Sequence, residues 1–205
     1  MKRFLYLCLL LSMACESAFA LTLTELQRKL ETVQTVESEF VQTKHLQVFQ
    51  NEIVLKGRMG LRREGADLAW HVTTPIRYSV CFRGSVMTQW DETSQKTTTF
   101  DTASNPMLKA LLDQMRSWFS GNLSEMQREY DLTLREAPQT GRHVLTCVPK
   151  GELANFMKEI EIRFAEGTGY IDSVKLVEAS GDWSEIQFRD TRLNQPLSDQ
   201  IFRHP

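Results

Sequence analysis

The chain has 205 residues, of which 41% are hydrophobic and 24% charged, and its formal net charge is -2. It is too apolar and too balanced in charge to be intrinsically disordered, and its ten glycines and six prolines exclude collagen-like and low-complexity sequences. A nucleic-acid-binding protein would normally have a strongly basic face, so we expect no nucleic-acid partner. The length suits one domain with a full core.

Residues 1–20 have the pattern of a secretory signal peptide. Lys2 and Arg3 give a positive start, residues 4–13 form an apolar run, and residues 18–20 are the Ala-Phe-Ala that signal peptidase recognises. The run is too short to span a bilayer. We therefore predict cleavage after residue 20, export to the periplasm of a Gram-negative bacterium, and a single mature domain of residues 21–205.

A second interpretation of this segment is a lipoprotein signal at Cys15. Such a signal needs a small residue before the cysteine, which Ala14 provides, and an aliphatic residue where Ser12 stands. The intact mass of the mature protein distinguishes lipidation from ordinary cleavage.

Cleavage would leave Cys81 and Cys147 as the cysteines of the mature chain. In an oxidising compartment the two thiols could form a disulfide, provided that their Cα atoms lie within about 7 Å of each other. The alternative is that both are small, buried apolar side chains on strands. The sequence leaves both interpretations open.

The mature chain is predicted to open with a helix. Thr22 and Glu25 form a capping box, and Leu26, Leu30 and Val33 lie on one stripe. After residue 35 the apolar residues alternate with polar ones, which is typical of strands that bury one face. The strands predicted in this half are 36–46, 53–63, 67–73, 78–83, 86–90 and 97–100.

A second helix is marked by its ends and by its spacing. Asn105 and Pro106 suit the N-cap and the first helical position, and Gly121 suits the C-cap. The apolar stripe between them consists of Met107, Leu108, Leu111, Leu112, Met115, Trp118 and Phe119. This helix could be a plain amphipathic helix that closes the sheet or a lid over a lipid-sized cavity. Its methionines favour the lid slightly, because thioethers repack around variable apolar ligands.

The rest of the chain returns to strands. The predicted segments are strands at 128–135, 143–148, 160–164, 171–178, 183–190 and 198–202, and a helical turn at 152–157. Short strands joined by hairpin turns predict one antiparallel sheet with an apolar face and a solvated face. A sheet of about ten strands curls into an open or closed barrel, whose remaining apolar surface helices must cover.

The residue patterns of common enzymes are absent from the sequence. It contains no Gly-x-Ser-x-Gly, no phosphate-binding loop and no His-Glu-x-x-His. Its four histidines are scattered, and paired carboxylates such as Glu159 and Glu161 are more typical of a solvated strand face than of an acid–base couple. We therefore expect no enzymatic activity, no metal and no cofactor.

Three segments follow the leading helix in a distinctive order. They are Phe40-Val41-Gln42-Thr43-Lys44, then Gly57 through Leu61-Arg62-Arg63, then Leu68-Ala69-Trp70-His71-Val72-Thr73-Thr74-Pro75. The end of the chain adds Ile162, Gly169-Tyr170-Ile171, Trp183 to Phe188, Ile201-Phe202 and Pro205. In this order the segments resemble the LolA-type periplasmic lipoprotein carriers, and the resemblance covers nearly the whole mature chain.

The resemblance implies a mainly β fold, a half-open barrel of about eleven strands with a helical lid over an apolar cavity. It implies a monomeric periplasmic chaperone that takes lipoproteins from an inner-membrane ABC exporter to an outer-membrane receptor. The functional arginine of the family corresponds to Arg63, which would latch the lid by hydrogen bonds to lid backbone carbonyls. The side chains implied to line the cavity are Trp70, Tyr78, Val80, Phe82, Leu111, Leu112, Met115, Trp118 and Phe119.

Two features depart from the family pattern. Glu64 stands where the family usually has proline, which would change the geometry of the latch. The chain stops at Pro205, whereas the carriers often continue with a further segment, and this would affect handover to the usual receptor. The alternatives are therefore a specialised paralogue that carries another lipid or glycolipid for envelope biosynthesis, and a lipoprotein-sensing regulatory module.

Overall fold

A computed structural model describes residues 21–104, 121–137, 140, 142–166 and 170–204. These residues form an eleven-stranded antiparallel sheet with two α-helices, α1 (Leu23–Glu31) and α2 (Leu123–Glu129). The strands are β1 (Thr35–His45), β2 (Ile53–Arg62), β3 (Asp67–Thr74), β4 (Tyr78–Arg83), β5 (Val86–Asp91), β6 (Lys96–Asp101), β7 (Tyr130–Glu136), β8 (His143–Pro149), β9 (Met157–Phe164), β10 (Ile171–Glu178) and β11 (Trp183–Leu193).

The order of the strands across the sheet is β6-β5-β4-β3-β2-β1-β11-β10-β9-β8-β7. The two longest strands, β1 and β11, pair at the centre and join the two halves of the chain. In the described sheet, the edge strands β6 and β7 do not pair with each other, so the barrel is not closed. The predicted mainly β, half-open architecture is confirmed.

Helix α1 begins at the predicted capping box. The Glu25 backbone N–H donates to the Thr22 hydroxyl at 3.2 Å, and the Thr22 backbone N–H donates to the Glu25 carboxylate at 2.8 Å. Leu26 and Leu30 are buried against the sheet. Leu123 of α2 joins the same cluster, so both helices cover one face.

Alternation along the strands produces the two faces. On β3, Leu68 and Val72 belong to a buried apolar cluster that includes Phe40 of β1. Their neighbours Ala69 and His71 point to the opposite side of the sheet. We call the side of Phe40 the inner face and the side of Ala69 the outer face.

A short turn near the end of the chain covers part of the outer face. Residues 198–202, predicted as a strand, form a 3₁₀ turn (Asp199–Phe202), so that prediction is wrong. Ile201 and Phe202 pack there against Ala69 and Cys81. Strands β3 and β4 already have hydrogen-bonded neighbours on both sides, so the segment packs across them as a turn.

His71 is 4% exposed and lies beneath this turn. Its Nε2 donates to the Ile201 carbonyl oxygen at 2.6 Å, because a carbonyl can only accept. In the neutral ring Nδ1 then accepts from the Ser79 hydroxyl at 2.8 Å. Burial lowers the pKa of His71, the bond to Ile201 opposes that shift, and the charge of Arg58 adds to it.

Two further segments differ from the sequence predictions. The strand predicted at 128–135 begins at Tyr130, because α2 precedes it, capped where the Glu125 backbone N–H donates to Asn122 Oδ1 at 3.1 Å. The helical turn predicted at 152–157 is a 3₁₀ turn (Gly151–Asn155), and Met157 already belongs to β9.

Cys81 and Cys147 are both free thiols, so the disulfide interpretation is wrong in this structure. Cys81 packs on the outer face with Ile201, whereas Cys147 belongs to an inner-face cluster with Ile160. The sheet itself therefore separates the two sulfur atoms. Burial raises the pKa of Cys81 to about 11 and that of Cys147 to about 12.

Two predicted segments lie outside the described residues. They are the signal peptide of residues 1–20 and the helix of residues 107–119, with its cap residues Asn105 and Pro106. Among the residues that are described, none of the helices has the length and apolar character needed to cross a membrane.

Candidate functional site

The inner face is apolar across both halves of the sheet. In the first half it consists of a buried cluster on β1 to β5: Phe40, Met59, Leu61, Leu68, Val72, Phe82 and Met87. In the second half α1 and α2 pack on a cluster that includes Leu145, Ile160 and Ile162. Phe188 of β11 packs against both clusters and makes the apolar surface continuous.

Four of the predicted cavity residues belong to this face. Phe82 is buried in the first cluster, and Trp70, Tyr78 and Val80 pack against it while remaining partly buried. The ring of Trp70 stacks on that of Phe40, with centroids 3.8 Å apart and planes 20° from parallel. Burial raises the pKa of Tyr78.

The other predicted cavity residues, on the proposed lid, lie outside the described residues: Leu111, Leu112, Met115, Trp118 and Phe119. The role of all nine side chains in lipid binding stays a prediction. What the structure brings together is the part of the set that lies on β3 and β4.

A small cavity lies between the end of α1 and the sheet. Its volume is about 40 Å³, roughly a tenth of a typical ligand pocket. Its lining is Leu30, Val33, Val36, Ser38, Met59, Leu61, Tyr170, Ile171, Phe188, Thr191 and Leu193. This volume is too small for an acyl chain, so binding one here requires the cavity to widen.

Two hydroxyls in the wall of this cavity, those of Ser38 and Thr191, are hydrogen-bonded within the protein. The Ser38 hydroxyl lies 2.9 Å from the carbonyl oxygen of Arg189 and 2.8 Å from the hydroxyl of Thr191. Both hydroxyls therefore have a protein partner, and the rest of the wall is almost entirely apolar. Such a wall suits hydrocarbon rather than a polar ligand.

Arg63 joins α1 to the turn between β2 and β3. Its Nε donates to the carbonyl oxygen of Val33 at 2.8 Å, and its Nη2 donates to that of Leu30 at 2.9 Å. The Leu30 carbonyl, in the last turn of α1, also accepts from the Val33 backbone N–H at 3.1 Å, and Val33 lies two residues beyond the helix. The guanidinium thus holds the chain at the end of α1 and just after it. These bonds place the predicted latch residue beside the cavity, because Leu30 and Val33 also line it.

Glu64, at the position where the family usually has proline, begins a 3₁₀ turn (Glu64–Ala66). The Ala66 backbone N–H donates to the carbonyl oxygen of Arg63 at 3.0 Å and closes this turn. Gly65 and Ala66 have φ values of 79° and 52°. The turn thus holds the arginine at the end of β2 without a proline.

Sequence reasoning did not assign several central residues of this face to the cavity. The residues concerned are Phe40, Met59 and Phe188. They lie on three different strands, and the register of β1 with β2 and β11 brings them together on the inner face. Phe40 and Gly57 occurred in the quoted segments, and the structure shows why they go together. A Cβ on Gly57 would lie 2.6 Å from the Phe40 ring and 2.0 Å from the His71 carbonyl oxygen, so only glycine fits under the ring.

The described residues contain no group of three or more His, Cys, Asp or Glu side chains arranged to hold a metal ion. The site that they do form is an apolar face partly covered by α1, with Arg63 hydrogen-bonded to the carbonyl oxygens of Leu30 and Val33 at its edge. Its chemistry is the exclusion of water from hydrocarbon. The predicted lid partners of Arg63, on the helix of residues 107–119, lie outside the described residues, so its latch role stays a prediction.

Comparisons with known proteins agree with this geometry. The family model described as "Outer membrane lipoprotein carrier protein LolA" matches residues 31–205. An outer-membrane lipoprotein carrier protein of Pseudomonas putida strain W619 is 25% identical over 180 residues, which cover 87% of this chain and 79% of the relative. Its counterpart from P. putida strain KT2440 is 24% identical over 180 residues, 87% of this chain and 81% of the relative.

Solved structures share the fold. An uncharacterized conserved protein from Thermus thermophilus superposes with a TM-score of 0.57 at 8% identity, covering 89% of this chain and 93% of its own. MucB superposes with a TM-score of 0.53 at 13% identity, and the match covers 89% of this chain and 62% of MucB. At these identities the likeness concerns the fold alone.

Proposed function

Because the chain belongs to the LolA family of outer membrane lipoprotein carrier proteins, we propose that it carries lipoproteins through the periplasm with their acyl chains held against the inner face. The observation that carries the proposal is the continuous apolar face beneath α1, which Arg63 fastens at its edge. A carrier needs such a face to be covered by its own residues when it is empty and to be accessible to acyl chains when it is loaded.

Loading exchanges the contacts of α1 for those of the cargo. Burial of ten CH₂ groups contributes about 8 kcal/mol. Breaking the Arg63 hydrogen bonds to Leu30 and Val33 costs about 3–6 kcal/mol. Moving α1 also exposes the buried Leu26 and Leu30, so acyl chains must take over these apolar contacts. The bonds of Arg63 then favour the closed face when no cargo is bound. The margin is small enough for cargo to be released to an acceptor that offers a better apolar environment.

The remaining features of the proposal come from the family and the sequence. Cleavage after residue 20 would deliver the mature carrier to the periplasm. An inner-membrane ABC exporter would supply the lipoprotein and an outer-membrane receptor would accept it. The bound state is a complex of one carrier with one acylated cargo.

The experiment that tests the proposal is binding of a triacylated lipopeptide to the mature protein, followed by displacement of a fluorescent fatty acid. Leu61→Gln places a polar group in the cavity wall and should weaken binding at least about tenfold. Val54→Gln is the matched control, since Val54 lies on the same strand but is 45% exposed. Failure of the wild-type protein to bind any acyl ligand would contradict the proposal.

A second candidate is a carrier of a different acylated lipid. The apolar cavity wall favours it to the same degree. The wall offers contacts to acyl chains, and the Ser38 and Thr191 hydroxyls, which bond each other, do not select a particular headgroup. Mass spectrometry of ligands that co-purify from the periplasm separates the two candidates. Acylated protein supports the first, and free lipid or glycolipid supports the second.

A further inference from the structure

A second cleft lies on the outer face of the sheet, on the opposite side from the apolar face. It occupies about 430 Å³ over β9, β10 and β11. Its floor is Ser173, whose strand neighbours in the register are Arg163 on one side and Gln187 on the other. A small residue between two long ones leaves a depression in the sheet surface, and the long side chains become its walls.

The residues that line this cleft carry an excess of positive charge. Three arginines and two carboxylates line it, so it carries one net positive charge in a chain whose formal net charge is -2. Arg142 pairs with Asp172 at 2.8 Å, and Arg163 pairs with Glu185 at 3.0 Å. Glu161 also pairs with Arg163. The positive charge that remains in the lining is that of the third arginine, which faces Glu39 across the register of β1 and β11.

That third arginine is Arg189. Within the part of the chain that the structure describes, its guanidinium forms neither an ion pair nor a hydrogen bond. It stands two residues after Gln187 on β11, so the two side chains point to the same face. An exposed guanidinium without a protein acceptor offers a complete fork of donors to a ligand.

Ser173 supplies a hydroxyl at the base of the cleft. The residue is 5% exposed as a whole, and among the described residues its side-chain oxygen is not one of the buried atoms that lack a hydrogen-bond partner. The hydroxyl therefore faces the cleft, whose lining also includes the Gln187 amide and the Arg189 guanidinium.

We propose that this cleft binds a phosphate group, held by the Arg189 guanidinium with help from the Ser173 hydroxyl and the Gln187 amide. The three groups approach from the floor and from one wall of the cleft. A tetrahedral phosphate has oxygens for donors in several directions, whereas a planar carboxylate is satisfied by one guanidinium. The phosphate could belong to a lipid headgroup or to a soluble compound, since both present the same oxygens.

The test uses the full mature chain with two probes. Inorganic phosphate is titrated while the backbone amide signals of Ser173, Gln187 and Arg189 are followed by NMR. Flotation with vesicles of phosphatidylglycerol and phosphatidylcholine, compared with phosphatidylcholine alone, tests the lipid source. Arg189→Gln should weaken phosphate binding about tenfold or more, since it removes a charge-assisted contact.

Arg192→Gln is the matched control, because it removes the same charge from the same strand outside the cleft. Arg192 pairs with Glu37 at 3.1 Å and is not part of the lining. Vesicle binding that depends on Arg189 and is displaced by phosphate assigns the site to lipid headgroups. Phosphate binding without vesicle binding assigns it to soluble phosphate compounds. Equal weakening by both substitutions, or no response to either probe, overturns the proposal.

Discussion

The Nη2 atom of Arg63 lies 2.9 Å from the carbonyl oxygen of Leu30, so a side chain at the end of β2 holds the last turn of α1. The same leucine is 7% exposed and lines the small cavity on the inner face. The arginine and the apolar contact therefore act on one residue. Any movement of α1 that opens the cavity must also lengthen this hydrogen bond.

Arg63→Leu tests this coupling. The variant should fold, because losing the hydrogen bonds to Leu30 and Val33 costs about 3–6 kcal/mol, while both apolar clusters of the sheet stay intact. It should still bind acyl chains but fail to pass cargo on. Without the Arg63 bonds the closed, empty state is less stable, so release of the cargo is less favourable. Growth of a strain that depends on the variant measures transfer, and full complementation would contradict the latch.

Arg62→Leu is the control for that experiment. Arg62 precedes the latch residue and bonds Asp199 at 2.6 Å beside the outer-face turn. Its loss should affect the turn near the end of the chain and leave cargo transfer intact. Equal transfer defects in both variants would mean that the defect is not specific to Arg63, and this would contradict the latch.

The two glycines of β2 should respond differently to alanine. A Cβ on Gly57 would lie 2.0 Å from the backbone oxygen of His71, which has no room to retreat within a paired strand. A Cβ on Gly60 would lie 2.7 Å from the Cδ1 atom of Ile201, the mobile end of a side chain. We expect a loss of about 3 kcal/mol for Gly57→Ala and about 1 kcal/mol for Gly60→Ala.

Urea denaturation at one pH measures both values. The comparison is internal, because both substitutions add one methyl group to the same strand. A loss for Gly60→Ala that equals or exceeds that of Gly57→Ala would show that the outer-face turn, and not the strand pairing, limits the space around β2.

The faces of the sheet could be predicted from alternation. Leu68, Trp70 and Val72 share one face in the sequence pattern and in the structure. The same reasoning wrongly predicted a strand at residues 198–202. Two adjacent apolar residues such as Ile201 and Phe202 can be buried in a strand or in a 3₁₀ turn, so the pair does not distinguish the two. Only the tertiary partner on the outer face distinguishes them.

Long-range relations could not be predicted from residue patterns. The carbonyl partners of Arg63 lie about thirty residues earlier in the chain, at the end of α1. Alternation shows which residues of the same strand share a face with Cys81, and likewise for Cys147. It does not show whether the two cysteines lie on the same side of the sheet. That relation depends on the register of the strands between them, and that register follows from the whole sheet.

The two cysteines should behave as buried free thiols. Burial raises the pKa of each thiol, so the reactive thiolate is scarce at neutral pH. Iodoacetamide should leave the mass of the native mature protein unchanged and add two groups after unfolding in guanidinium without reductant. Native protein that requires a reductant before both thiols react would show that a disulfide had formed.

His71 should make stability depend on pH below about pH 6.5. Its folded-state pKa lies below the ordinary value of 6.5, mainly because the ring is buried. The unfolded chain therefore binds a proton at a higher pH than the folded chain does. The contribution of His71 to the free energy of unfolding is at its maximum above about pH 6.5. It decreases as the pH drops below that value toward the folded-state pKa.

His71→Gln should flatten this dependence, at a loss of about 1–3 kcal/mol at pH 7.5 from the hydrogen bonds to Ile201 and Ser79. His204, whose pKa is also lowered by burial, contributes in the same direction, so His204→Gln serves as the comparison. The carboxyl groups with lowered pKa values, Glu25, Glu92 and Asp199, act only at lower pH. Urea denaturation at several pH values measures the slope. An unchanged slope in His71→Gln would show that protonation of His71 does not loosen the outer-face turn.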